Sequence, residues 1–324
     1  MLAIGFDVPG GPQVLRPVEV PEPHAGTGEV RIRVAAAAVN PSDTVTRSGM
    51  AHDRYRAVSP PYVPGWDAAG IIDEAGPETG WRPGDRVVAI TLPVLAGGGA
   101  YAEKIVVPAG QVARLPEGSD FVSAATLPMN GLTAWFALDA LDPPAGATIA
   151  VTGAAGAVGG YVIELAKIRG HTVIADAKPS DAQQVREFGA DIVLPRGADL
   201  ASGIRAQVPD GVDALIDTAL LGDAVLAAVR DGGAFVALRP AALGGGATPQ
   251  RGISVHHVMV ADHLDEPDAL RELSRLAAEG ALTLRVARTF PAEQAARAHE
   301  LLEAGGLRGR IVLEFPRVAD QPCG

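Results

Sequence analysis

The sequence predicts an α/β protein in which a β-rich N-terminal domain precedes a doubly wound parallel-sheet domain. Three observations predict it. Over residues 1–118, short alternating stretches are separated by Gly and Pro punctuation. From about residue 148, short apolar strands alternate with helical patterns, as βαβ units do. A glycine-rich turn at 148–160 (TIAVTGAAGAVGG) joins the first of those strands to the first of those helices.

In the first part, residues 29–36 (EVRIRVAA) and 86–90 (RVVAI) alternate as half-buried strands do, with breaks at 21–23, 83–84 and 97–99. In the second part, strands are expected at 148–152, 172–175, 192–194, 214–217 and 234–238, with helices near 157–168 and 181–188. After about Arg285 come a strand at 286–290, a helix at 292–303 and a strand at 310–315. Texture leaves open whether this last piece extends the parallel sheet or returns to the first domain. There is no repeat with a period of roughly 20–50 residues and no low-complexity block.

Composition bounds the function. The 324 residues are 48% hydrophobic and 20% charged, the balance of a folded enzyme, and suffice for about two domains. With 27 Lys+Arg against 38 Asp+Glu, the net charge of −11 argues against gripping nucleic-acid phosphates. The single cysteine, Cys323, can form neither an internal disulfide nor a cysteine zinc cage. The N-terminal stretch lacks a basic flank and a signal-length apolar run, and nothing approaches the ~18 consecutive apolar residues of a membrane helix. The expectation is a cytoplasmic protein with no membrane and no nucleic-acid partner.

The glycine turn carries the clearest chemistry. Its spacing is G-x-x-G-x-x-G, with Ala155 where the usual dinucleotide motif has its second glycine. Gly153 permits a tight turn off the strand, Gly156 lets backbone approach a pyrophosphate, and Gly159 lets the helix pack closely on the sheet. The helix N-terminus adds N–H groups and the positive end of a dipole. Ala154, Ala157 and Val158 complete the cradle. Which nicotinamide cofactor it takes turns on the end of the next strand. An acid there favours the ribose diol of NAD, and a cation favours the 2′-phosphate of NADP. The sequence offers Asp176, then Lys178, and Arg196 after the third strand; the two cations turn the reading toward NADP(H).

Ordered matches along nearly the whole chain then resemble the zinc-independent quinone oxidoreductase branch of the medium-chain dehydrogenase/reductase superfamily. They are Asn40-Pro-Ser-Asp43 with Arg47-Ser-Gly49, Val63-Pro-Gly65-Trp66-Asp67-Ala-Ala-Gly70, and Trp81-Arg-Pro-Gly84-Asp85-Arg86-Val87. Further on come Gly99-Ala-Tyr101-Ala-Glu103, Leu127-Pro-Met-Asn130-Gly131-Leu-Thr133-Ala134, the glycine turn, and Gly306-Leu-Arg-Gly-Arg310-Ile-Val-Leu313. The resemblance implies a GroES-like β domain over residues 1–118 and 288–324, and a Rossmann NADP-binding domain over 119–287. It also implies that the C-terminal strands rejoin the first domain, that NADPH and substrate share the cleft between domains, and that the chain dimerises. The positions it sets against the catalytic ligands of zinc-containing relatives hold Asp43, Trp66 and Met129, a set unsuited to zinc. Without a Lewis acid, hydride addition to a quinone or an α,β-unsaturated carbonyl (enone or enoyl group) is the expected reaction.

Residue roles follow from the same resemblance. Asn40, Asp43 and Tyr101 are the candidate catalytic residues, with Asn40 a donor to the substrate carbonyl and Tyr55 and Tyr62 as further phenols. Val45, Tyr62 and Trp66 line the substrate cleft, and Val45 stands where many relatives carry a tyrosine. Asn130, Thr133, Asp217, Leu238, Arg239 and Arg310 join the turn, Lys178 and Arg196 as cofactor contacts. Local capping by Asn40 and Asp43, and plain packing by the tyrosines and Trp66, are the competing structural explanations. The pair His256–His257 suggests metal, but neighbours on a strand face opposite sides, so no metal site is expected. The apolar run from Ile253 to Val260 (ISVHHVMV) is the expected homodimer strand. Two alternatives to the general reductase are a specialised enoyl reductase of a natural-product pathway and an NADPH-binding regulatory protein with little catalysis.

Overall fold

The strands at 29–39, 67–75 and 86–90 are buried along most of their length, where the sequence suggested half-buried alternation at 29–36 and 86–90; the strand at 104–108 is the one that alternates among these. The computed structural model describes residues 1–55, 58–93, 98–197, 199–239 and 244–315, so Cys323 and Gly97 lie outside the described residues. The strands of the first part are β1 (Leu2–Gly5), β2 (Arg16–Glu19), β3 (Glu29–Val39), β4 (Asp67–Ala75), β5 (Arg86–Ile90), β6 (Lys104–Pro108) and β7 (Val112–Arg114). Those of the second are β8 (Thr148–Thr152), β9 (Thr172–Ala177), β10 (Ile192–Pro195), β11 (Val212–Asp217), β12 (Val229–Ala237) and β13 (Ser254–His257). Two more, β14 (Val286–Pro291) and β15 (Arg310–Glu314), close the described chain.

The chain divides into two compact units, residues 1–129 with 263–279 and 284–324, and residues 130–262 with 280–283. Where the sequence suggested breaks after 118 and 287, the helix Pro267–Ala278 falls in the first unit because it packs on β7, with Ser274 Oγ donating to Arg114 O at 2.5 Å. In that unit the order is β14-β15-β3-β4-β5-β7, with β6 also paired to β3 and β1-β2 forming a separate antiparallel ribbon. β15 runs antiparallel to β3 through Leu313 opposite Ala37, so the C-terminal strands do return to the first sheet. Its core gathers Ile4, Phe6, Ile32, Val34, Ile105, Phe290 and Leu313.

The second unit is a six-stranded parallel sheet in the order β10-β9-β8-β11-β12-β13. Counting from β8, this is the 3-2-1-4-5-6 order of a doubly wound dinucleotide fold, with the order reversing between β8 and β11. Its strands are near-continuous apolar runs because a parallel sheet is covered on both faces; Ile174, Leu215, Phe235 and Val229 centre its core. β12 starts earlier than the expected 234 because Val229 already pairs Val212, the polar run Arg230–Gly233 bulging out before pairing resumes at Ala234. The expected strand 253–260 shortens to Ser254–His257, since its partner β12 ends at Ala237 and a 3₁₀ turn follows at Val260–His263. The C-terminal helix likewise opens on a 3₁₀ turn, Ala292–Gln294, before Ala295–Ala304. The stretch Phe121–Leu141 has the length and apolarity of a membrane span, yet 72% of its most apolar window is buried, as in a core helix.

Candidate active site

The first unit builds a buried polar cluster around the helix Pro41–Ser48. β3 ends at Val39, Asn40 follows in extended conformation, and Pro41 takes the first helical position, where its missing N–H is no loss. Asp43 reaches back to accept from Asn40 N at 2.8 Å, and also from Gly65 N at 2.9 Å and Tyr101 Oη at 3.3 Å. Tyr101 Oη lies 3.1 Å from His299 Nε2 on the helix Ala295–Ala304. Asn40 Nδ2 donates to Asp67 Oδ2 at 2.5 Å, and Asp67 Oδ1 accepts from Met129 N at 2.5 Å. Among the described residues, Asn40 Oδ1 is buried without a partner.

Electrostatics here are set by dryness. Burial pushes both Asp43 and Asp67 up to about 7, against their N–H and O–H donors and the charge of Arg310. The Asp43 charge raises Asp67 further. Burial, and then the Arg47 guanidinium, hold His299 down to about 3, so its ring is neutral. Burial and Asp43 lift the Tyr101 phenol well above its usual range. The cluster can therefore hold a proton on one of two carboxyls at neutral pH, bridged by an amide.

The candidate residues of this unit separate into groups. Asn40, Asp43 and Tyr101 come together, and Arg310, half-buried at the start of β15, bears on both carboxyls. Asn40 holds the N-cap position and the Asp43 carboxylate caps its backbone N–H, so the local explanation applies to Asp43, while both side chains also join the wider network. Tyr62 packs instead among Phe6, Tyr55 and His52, and Tyr55 Oη donates to Thr46 O at 2.7 Å. Val45 is half-buried on the helix, and Trp66 is buried, its Nε1 without a partner among the described residues. Sequence reading gave no role to Asp67, His299 or Arg47. Arg47 is buried, donating to Gly10 O at 3.1 Å and pairing with Glu303 at 2.6 Å. Only a charged residue inside a strand-start motif hinted at Asp67; nothing local hinted at His299.

The second unit builds the glycine turn. Gly153, at φ +64°, leaves β8 in the left-handed region, and a Cβ there would stand 2.6 Å from Thr218 Oγ1. A Cβ on Gly159 would stand 2.5 Å from Gly153 O, so the helix Ala157–Ile168 lies directly against the turn. Gly156 is its N-cap and Gly156 N donates to Gly153 O at 2.8 Å. Ala154 is buried, and Ala157 and Val158 form the first helical turn.

Around this turn the strand ends are stitched together. Asp217 Oδ1 accepts from Thr152 Oγ1 at 2.6 Å and Oδ2 from Gly222 N at 2.8 Å, fixing the switch point between β8 and β11. Asp176, 1% exposed at the end of β9, accepts from Gly153 N at 2.5 Å and from Arg196 Nε at 2.8 Å. Lys178 is exposed at the start of a 3₁₀ turn. Leu238 and Arg239 follow β12 and are half-buried; Asn130 is buried and Thr133 half-buried on the helix Pro128–Leu141. His256 and His257 lie on β13, and among the described residues no group of three or more His, Cys, Asp or Glu comes together.

A strand, a glycine turn and a helix N-terminus at the switch point of a parallel sheet are the parts that hold a dinucleotide pyrophosphate. Comparison with known proteins agrees. Residues 26–117 match the alcohol dehydrogenase GroES-like domain family, and residues 170–313 match the zinc-binding dehydrogenase family. A quinone oxidoreductase of Pseudomonas aeruginosa is 30% identical over 96% of this chain and 98% of its own length. The NADPH-dependent alkenal/one oxidoreductase of Arabidopsis thaliana chloroplasts is 33% identical over 71% of this chain, which spans 60% of that longer protein. A mycobacterial structure complexed with NADPH superposes with TM-score 0.82 at 30% identity, covering 97% of this chain and all of its own.

Proposed function

Because the chain belongs to the medium-chain dehydrogenase/reductase superfamily, among its quinone oxidoreductases, we propose that it reduces a quinone or an α,β-unsaturated carbonyl with NADPH and without zinc. It is an oxidoreductase of that family acting with a nicotinamide cofactor on a small molecule. The observation that carries the proposal is the glycine turn at the switch point of the 3-2-1-4-5-6 sheet.

The donor chemistry supports a reaction without zinc. Trp66 offers an indole N–H, which donates but has no lone pair for a metal, and Met129 offers a thioether, a poor ligand for zinc. When bound, NADPH supplies the hydride that adds to the electrophilic carbon of the acceptor, whose oxygen then takes a proton from water or an acid. The chain's own residues bind and hold protons. The Ala157–Ile168 N-terminus receives pyrophosphate, Asp217 and Asp176 hold the strand ends that shape the turn, and Asp43 or Asp67 stores a proton at a carboxyl oxygen near neutrality. A cytoplasmic location and a homodimer through β13 belong to the same proposal.

The test is NADPH and NADH consumption by the purified protein with phenanthrenequinone, benzoquinone and a medium-chain enone. The expected result is turnover with NADPH preferred. A folded protein that neither binds nor oxidises either dinucleotide overturns the proposal. Val45, in place of a tyrosine that many relatives carry, and Trp66 favour a second reading, an enoyl reductase of a particular natural-product intermediate. NADPH bound tightly with all three acceptors inert is the result that favours it, or a regulatory role, over the general reductase.

A further inference from the structure

An acid at the end of the second strand of such a sheet ordinarily meets the adenosine ribose diol. Asp176 holds that position but is 1% exposed, and both its oxygens are committed inside the protein. Oδ1 accepts from Gly153 N at 2.5 Å, with Ala154 N farther off at 3.4 Å, and Oδ2 accepts from Arg196 Nε at 2.8 Å. Strand register explains the last contact. β10 pairs β9 with Leu194 beside Asp176 and Pro195 beside Ala177, so Arg196 emerges level with Lys178. Its backbone N is fixed to Ala177 O at 2.9 Å, and its side chain folds back one step onto Asp176.

Only Nε of that guanidinium is engaged; the side chain is 42% exposed, and neither Nη has a partner among the described residues. A planar guanidinium pinned by one edge presents its remaining N–H groups as a fork, the geometry that suits a phosphate. A dianion placed beside Asp176 alone would be repelled, whereas the Asp176–Arg196 pair is neutral and presents its positive side outward. Lys178 is an exposed ammonium on a flexible stem with no partner among the described residues.

Resting on the NADPH reading, we propose that Arg196, aimed by Asp176, is the residue that selects NADP(H) over NAD(H) by binding the adenosine 2′-phosphate. Asp176 is then a positioning residue that ties the phosphate-binding cation to the glycine turn through one carboxylate. Of the two cations the sequence offered, Arg196 is the selective one and Lys178 adds only general attraction.

The experiment measures dissociation constants of NADPH and NADH by fluorescence, and of adenosine 2′,5′-bisphosphate and AMP by calorimetry. Proteins compared are wild type, Arg196→Gln, Arg196→Lys, Lys178→Ala and Asp176→Asn, each checked by its melting curve. The expected result is that Arg196→Gln weakens NADPH and the bisphosphate by about 10- to 100-fold, the range for hydrogen bonds to a charged group. NADH and AMP hold their wild-type values within error. Arg196→Lys recovers only part, since one ammonium cannot grip Asp176 and fork a phosphate together. Equal NADPH and bisphosphate affinity in Arg196→Gln and wild type overturns the assignment, as does discrimination lost in Lys178→Ala instead. Selective loss of NADH and AMP in Asp176→Asn also overturns it, because Asp176 then reaches the diol. A cooperatively melting wild type that binds neither dinucleotide fells the NADPH reading itself; NADPH binding indifferent to Arg196 fells this inference alone.

Discussion

Asp43 and Asp67 are two carboxyls in one dry interior, linked through Asn40, and their protonation makes the first unit sensitive to pH. Both stand at about 7 in the fold, against roughly 4 in an unfolded chain. The folded state thus binds more protons than the unfolded state between those values. Stability from this pair is full below about pH 4 and falls as pH rises, the loss being complete above about 7. In Asp67→Asn the new amide still accepts from Met129 N, and a flip of Asn40 turns its unpartnered Oδ1 toward the new NH₂. The expected outcome is that melting temperature drops less between pH 5.5 and 8.5 than in wild type, by roughly half, since one of two coupled groups is gone. A drop as large as wild type's would show that Asp67 is not part of the titrating pair. Asn40 and Asp43 were legible in the sequence as a short motif. Asp67 and His299 were not, because their meaning lies in contacts with residues far along the chain: Met129 N for one, Tyr101 for the other.

The turn between β8 and its helix is the element on which cofactor binding depends, and its glycines are unequal. A Cβ on Gly156 would lie 3.0 Å from Gly153 O, a contact small shifts can relieve, whereas on Gly159 it would lie 2.5 Å from the same oxygen. Gly159→Ala must push the helix N-terminus away from the turn, misplacing the dipole end and the first-turn N–H groups. Its expected effect is at least about tenfold weaker binding of NADPH and NADH alike, with Gly156→Ala milder, read by fluorescence titration. Equal losses in the two variants would count against this packing argument. Elements of this kind were legible because a parallel sheet buried on both faces writes each strand as an unbroken apolar run; β8 falls where the pattern put it. The ends of β12 and β13 were not, since a bulge and the length of the neighbouring strand decide them. The side to which the last strands belong was legible from the family resemblance but not from local texture, because β15 pairs with β3, whose sequence lies far upstream.

At the scale of the whole molecule, the proposed dimer would have to form against the charge of two acidic chains. Among the described residues β13 pairs with β12 alone, leaving its other side as a sheet edge, and such an edge invites pairing with a second copy. Each copy carries a net charge of −11, so two copies repel, and salt relieves that repulsion with a screening length of about 8 Å at physiological ionic strength. Association through backbone pairing and apolar contact should then tighten as salt rises, opposite to an interface built on ion pairs. Light scattering is expected to give about 66 kDa, twice the chain's 33.1 kDa, with the dimer persisting at high salt. In a parallel strand alternate residues turn their N–H groups to opposite edges, so Val255 and His256 point theirs to different sides. A proline at one removes a bond to β12 and lowers stability; at the other it removes only the outward donor. One of Val255→Pro and His256→Pro should therefore yield a stable monomer, the other a destabilised protein. If the chain runs at 33.1 kDa from the outset, or both variants melt like wild type and stay dimeric, β13 is not the strand that joins two copies.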